Sequence, residues 1–227
     1  MVTEPDNMIP GTADLQEQEA MWRILHHLLR PPAAEQWEWL TTEPVRSAWS
    51  ILAGRCALEH RTMPIPSDYD SYQEQFLATF DVGMPHPPCP LLESHWNRKE
   101  SPGLVRQRNM RFYEQFGLQL RSADGSPPDH LRHQLELLEY LCRLELDRTL
   151  CSDADEASQL ARARHEYLTL HLLSWVPAAA RDLAAKIPGA WPSRWMELLA
   201  ACLEGEETAW VPPSGSDGHV APTATAR

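Results

Sequence analysis

Residues 128–149 read PDHLRHQLELLEYLCRLELDRT, and their spacing decides the fold class. At about 100° per residue, Leu131, Leu135, Leu138 and Cys142 share one helical face, which Leu137, Leu141 and Leu144 widen to about half the circumference. A helix so broadly apolar is predicted to be central and mostly buried. Its remaining stripe is Asp129, His133, Glu136 and Tyr140. With the helix predicted to begin at Pro128, Asp129 and Glu136 are seven apart and fall within about 20° of each other. Asp129 at such a start is equally well explained by capping and the helix dipole.

Working outward, the same helical period recurs between proline and glycine breaks. Asp14 reads as an N-cap before Met21, Trp22, Leu25, Leu28 and Leu29, and Pro31-Pro32 stops that helix. A short piece carries Trp37, Trp39 and Leu40; Thr42 and Pro44 open the next, with Val45, Trp49, Leu52 and Cys56. Ser67 is predicted to cap a helix bearing Tyr72, Phe76, Leu77 and Phe80. DVGMPHPPCP, residues 81–90, holds too many prolines for a helix interior and reads as a loop. Ser101-Pro102 opens a helix that Gly117 ends. Ser152 or Asp153 caps another that runs to Pro177, and two more follow, 178–187 and 193–203. No useful strand pattern and no repeat appear. The prediction is an all-α, single domain of about eight to ten packed helices over 14–210. Residues 1–13 and 211–227 are expected to be disordered tails.

The chain has 227 residues, 43% of them hydrophobic, with nine tryptophans. That is enough for a core and for an aromatic surface that receives apolar segments. Twenty Lys and Arg against 32 Asp and Glu give a net charge of -12. No basic stripe is available to neutralise phosphates, so nucleic acid is rejected as a partner, and anionic membranes are disfavoured. Cationic partners are favoured at long range. Five cysteines without a CxxC fit free thiols in a reducing cytoplasm. No secretory signal is expected at the N-terminus, and no stretch reaches the roughly 18 apolar residues of a membrane span.

Candidate chemistry is sparse. Asp129 and His130 are adjacent, so on a helix they point about 100° apart and cannot form a dyad with each other. His26-His27, Cys56 with His60, and His165 with His171 are raw material for a metal, but a full site needs three or four ligands. No GxSxG, P-loop, HExxH or GxGxxG occurs. The residues alone favour an interaction protein; the rival is a small helical metal-dependent hydrolase centred on Asp129, His130 and His133.

Three segments carry a resemblance. YEQFGL (113–118), then PPDHL (127–131) and LEL (135–137), resemble a signature of an aromatic and glycine followed by P-D-H and L-E-aromatic, with Leu137 in place of the last aromatic. FLATF (76–80) with PLLES (90–94), and HLLSWVP (171–177), resemble two more of its segments in the right order. Together they resemble the TorD/DmsD/NarJ family of redox-enzyme maturation chaperones.

The resemblance implies a TorD/DmsD-like helical fold and binding to the catalytic molybdenum subunit of a DMSO-reductase-type enzyme, during insertion of its molybdopterin cofactor. It implies recognition of that subunit's twin-arginine leader, in the cytoplasm and without stable membrane association, by a monomer or a domain-swapped dimer. No permanent cofactor is expected, with at most a transient contact to molybdopterin guanine dinucleotide or a guanine nucleotide. The signature falls on Asp129, His130 and Glu136. The partner surface is therefore expected there, with His133, Tyr113, Phe116, Trp96, His171 and Trp175 nearby, and with the Phe76 and Phe80 face as the next candidate.

Overall fold

The computed structural model describes residues 12–59, 61–120 and 125–213. Among them lie ten α-helices: α1 (Thr12–Leu28), α2 (Ala34–Leu40), α3 (Glu43–Arg55), α4 (Tyr69–Phe76), α5 (Glu93–Trp96), α6 (Pro102–Gln115), α7 (Leu131–Leu150), α8 (Ala154–Tyr167), α9 (Val176–Lys186) and α10 (Trp191–Ala209). The only bridge of β type among the described residues joins Leu92 to His130. The all-α expectation is borne out. No described helix is long and apolar enough to cross a membrane.

The long central helix is α7. It packs against α1 on one side and α8 on another, and Leu131, Leu135, Leu138, Leu141 and Cys142 are fully buried, as the period demanded. One continuous core runs through the molecule, anchored by Trp22, Trp49, Trp175 and Trp195. A buried ion pair reinforces it: Arg164 of α8 reaches Glu145 of α7 at 2.9 Å and Glu206 of α10 at 3.3 Å.

Local punctuation explains the boundaries. Ser101 caps α6 by accepting from the Leu104 N–H, and Asp153 caps α8 by accepting from Glu156. Gly117, at φ +67°, closes α6. Its N–H reaches the Glu114 carbonyl at 3.0 Å, and the Leu118 N–H reaches Tyr113 at 2.8 Å. This pair of bonds is the Schellman arrangement, which needs a left-handed residue where glycine stands.

Four expectations are corrected. α1 begins at Thr12, so residues 12–13 are helical and Asp14 lies in the first turn rather than at the cap. Asp68, not Ser67, caps α4: its carboxylate accepts from the Ser71 N–H at 2.8 Å, the better acceptor of two neighbours. α9 and α10 start two residues earlier than read, at Val176 and Trp191, each with a proline in the first turn, and α10 continues to Ala209. Most consequentially, α7 begins at Leu131, with His130 as its cap. The other terminal residues assigned to tails, 1–11 and 214–227, and His60 lie outside the described residues.

Candidate functional site

The late start of α7 has a specific cause. Residues 127–130 form a turn, closed by the His130 N–H on the Pro127 carbonyl at 3.1 Å, and pair with the end of the proline-rich loop. The Glu93 N–H donates to the Asp129 carbonyl at 3.0 Å and the Leu131 N–H donates to Leu91 at 2.9 Å. Asp129 is thereby taken off the helix and turned inward, fully buried. Its carboxylate accepts from the Ser94 backbone N–H at 3.0 Å and meets Arg106 at 3.3 Å. The residue before α5, Leu92, has no side-chain acceptor to offer, so Asp129 caps that short helix from a distance. Asp129 and Glu136 therefore do not share a helix face, contrary to the spacing argument.

Behind Asp129 lies a buried polar network centred on Glu93, which is 1% exposed. Glu93 accepts from Asn109 at 2.9 Å and from Gln134 at 2.6 Å, and sits 2.9 Å from His171 Nδ1. Tyr167 donates to Asn109 at 2.8 Å, and Trp175 donates to Gln134 at 3.3 Å. The Tyr113 hydroxyl donates to the Pro128 carbonyl at 2.9 Å and lies 3.3 Å from that of Tyr167. Burial pushes both tyrosine pKa values well up. Five helical segments are joined: α5, α6, α7, the end of α8, and the wide π-turn Leu168–Leu172 that carries His171. Satisfied buried networks of this kind rigidify and specify a fold.

Four of the sequence-predicted site residues converge on this network: Asp129, Tyr113, His171 and Trp175. All four are buried. Trp96, half-buried, donates to the Pro90 carbonyl at 2.8 Å and secures the loop end beside it. Phe76 and Phe80 are buried in a separate aromatic cluster with Tyr72 and Trp191. Phe116 is half-buried at the end of α6. His130 accepts from the Arg132 N–H through Nδ1 at 3.2 Å. Burial above all, with Arg132 and His133 adding repulsion, lowers its pKa to about 4. Glu136 alone of the eleven is exposed; His133 at 3.6 Å holds its carboxyl below the ordinary range.

Sequence reasoning missed Glu93, Asn109 and Gln134. Glu93 stood inside the quoted PLLES segment, yet a glutamate beside two leucines does not announce burial. Asn109 and Gln134 had no local signal.

The hydrolase alternative finds no support. Asp129 is committed to Ser94 and Arg106, and His130 to a helix cap. Among the described residues no group of three or more His, Cys, Asp or Glu is placed to hold a metal. Cys56 faces Cys202 instead, sulfur to sulfur at 3.5 Å.

A cleft of about 660 Å³ opens on the outer side of α7. Its walls are the end of α1 (His26, His27) with Arg30 in the turn after it, residues 118–120, and the α7 stripe from Arg132 and His133 through Glu136, Glu139 and Tyr140 to Arg143. His26 bridges it, with Nδ1 3.0 Å from Glu139. A second surface differs in charge: α2 and α4 expose Glu35, Glu38, Asp70 and Glu74 around half-buried Trp37 and Trp39, and neither helix contains a Lys or Arg. The rings of Trp37 and Tyr72, 5.5 Å apart, hold α2 against α4.

Known proteins resemble the chain as follows. It is 32% identical over 146 residues to the selenate reductase assembly chaperone protein of Thauera selenatis, covering 63% of this chain and 70% of that one. It is 27% identical over 126 residues to the perchlorate reductase assembly chaperone protein of Dechloromonas aromatica, covering 55% of each. It is 28% identical over 116 residues to the chlorate reductase assembly chaperone protein of Ideonella dechloratans, covering 51% of this chain and 59% of that one. It therefore spans little more than half the length of two of these relatives. A crystal structure from Archaeoglobus fulgidus, described as a candidate redox enzyme maturation protein, matches at TM-score 0.39 and 20% identity over 69% of this chain and 90% of that one. The nitrate reductase delta subunit profile matches residues 44–181, from α3 into α9, which includes every residue of the Glu93 network. The resemblance read from the PLLES, PDH and HLLSW segments is borne out: the chain belongs to the nitrate reductase delta subunit family.

Proposed function

We propose that the protein is an assembly chaperone, not an enzyme, that binds the catalytic subunit of a DMSO-reductase-type molybdenum enzyme in the cytoplasm before its cofactor is in place. The observation that carries this is the family membership over α3 to α9, together with relatives that are themselves assembly chaperones. The geometry agrees in kind. Asp129, Tyr113, His171 and Trp175, all from segments that carry the resemblance, belong to an internal scaffold rather than a catalytic set, and a binding protein works through the surface such a scaffold holds rigid.

The finer reading is that the client is gripped by a twin-arginine leader, basic at one end and apolar in the middle. The face of α2 and α4 suits both halves: Glu35, Glu38, Asp70 and Glu74 for the arginines, and Trp37 and Trp39 for the apolar part. The test is a titration of a twin-arginine peptide and of its Arg→Gln counterpart, at low and high salt. Tighter binding of the arginine peptide, weakened by salt, supports the reading. Equal affinity of the two peptides removes it.

A further inference from the structure

Cys56 and Cys202 stand 146 positions apart in sequence, yet their sulfurs face each other at 3.5 Å as free thiols. Cys202 is buried within α10. Cys56 is the half-buried cap at the end of α3, so a small reagent can reach it while its partner stays behind it. The end of α3 sets that position. The Cys56 N–H still bonds to Leu52 at 2.9 Å, but Ala57 turns left-handed at φ +53° and the Leu58 N–H closes on Ala53 at 2.9 Å. The chain therefore leaves the helix immediately after the thiol.

The two thiols are electrically unlike. The hydrogen bond with Cys202 above all, and Arg55 beside it, hold the Cys56 pKa below the usual thiol value against the opposing effect of burial. The same bond, with burial, pushes Cys202 well above it. Burial pushes Cys89 and Cys142 up to about 12. The thiolate is the reactive form, and cysteines that sense oxidants are accessible, low in pKa and set beside a second thiol. Among the described cysteines, Cys56 alone combines access to solvent with a second thiol at hand.

We propose that Cys56 and Cys202 form a peroxide-sensing pair that closes reversibly to a disulfide. The Cys56 thiolate attacks one peroxide oxygen, the O–O bond breaks, and hydroxide leaves, taking up the proton that Cys56 gave away. Cys56 is then a sulfenic acid. The Cys202 sulfur attacks the Cys56 sulfur, the S–O bond breaks, and the Cys202 proton leaves with the hydroxyl as water. Each cysteine has given up one electron, and one peroxide has become two waters. Closure brings the sulfurs about 1.5 Å nearer, to about 2.05 Å, and the end of a helix can supply that shift. In a reducing compartment the pair rests as thiols and closes only on oxidant challenge. The closed bond ties α3 to α10 across 146 residues, which constrains the unfolded chain.

The test uses the full chain, reduced and then freed of reductant. It is titrated with hydrogen peroxide, its remaining thiols are blocked with N-ethylmaleimide in denaturant, and its peptides are mapped by mass. A linked pair of peptides holding Cys56 and Cys202 is expected, lost on treatment with dithiothreitol, with Cys89 and Cys142 blocked as free thiols. The oxidised chain should melt about 5 °C or more above the reduced one. Cys202→Ala should instead accumulate a sulfenic acid at Cys56, trapped by dimedone, and Cys56→Ser should give neither product. The mapping of the parent chain decides the matter even where a variant folds poorly. No linked pair in the parent, a link from Cys56 to Cys151 of a second copy, or an oxidised chain that melts no higher than the reduced one overturns the proposal.

Discussion

The buried carboxylate of Asp129 accepts the backbone N–H of Ser94 at 3.0 Å, across 35 residues of sequence. This bond ties the start of α5 to the approach to α7, and it redefines a residue that sequence alone assigned to a binding face. Asp129→Ala should destabilise the protein by about 2–4 kcal/mol, because it orphans a buried N–H and removes a partner of Arg106. Asp129→Asn retains an acceptor and should cost less. Urea unfolding midpoints check both; an alanine variant as stable as the parent would contradict the assignment.

Glu93 is predicted to matter more for folding than the more conspicuous Glu136. Glu93→Gln removes the charge on the one oxygen that Asn109 and Gln134 both donate to and puts an N–H₂ in place of the other, 3.2 Å from His171; it should cost about 2–4 kcal/mol. Glu136→Gln, on an exposed side chain, should stay within about 0.5 kcal/mol. The two variants compared in one denaturation series decide the point.

His130 makes stability depend on acid pH. Its folded pKa, about 4 against an ordinary 6.5, means that the unfolded chain binds the proton more readily. Its contribution is therefore complete above pH 6.5 and is lost as pH falls from 6.5 toward 4. Protonation also removes the Nδ1 acceptor that caps α7. His130→Asn, which keeps a cap without titrating, should flatten this part of the profile. Parent and variant curves that fall in parallel between pH 6.5 and 4 would exclude the role.

The acidic α2–α4 face gives a prediction about binding rather than folding. Glu35→Gln with Glu38→Gln should weaken a twin-arginine peptide by about 1–2 kcal/mol at low salt, the sum of two exposed charge pairs, with the melting temperature unmoved. Fluorescence of Trp37 and Trp39 offers one readout of the titration. Unchanged affinity would move the peptide to another surface.

The helices were legible because each is punctuated locally. Ser101-Pro102, Asp153 and Gly117 act within a turn of where they stand, and the leucines of α7 repeat with the helical period. The start of α7 was not legible, because Pro128–His130 look like a helix opening until Leu91 and Glu93 pair with them from a distant loop. The Glu93 network was hidden for the same reason. Its donors come from α6 and α7 and from the π-turn after α8, and no spacing within one segment reveals that they meet. Of the residues singled out, Asp129, Tyr113, His171 and Trp175 meet by burial around one carboxylate, whereas Glu136 is exposed and Phe76 and Phe80 lie in a separate cluster.

If this chain prepares a molybdenum enzyme, the metal content of the client depends on it. A DMSO-reductase-type catalytic subunit from the same genome is expressed with and without the chaperone, purified, and assayed for molybdenum. The expected result is a client that co-purifies with the chaperone before cofactor loading and is left largely metal-free in its absence. A client that loads molybdenum equally well in both cases would contradict it.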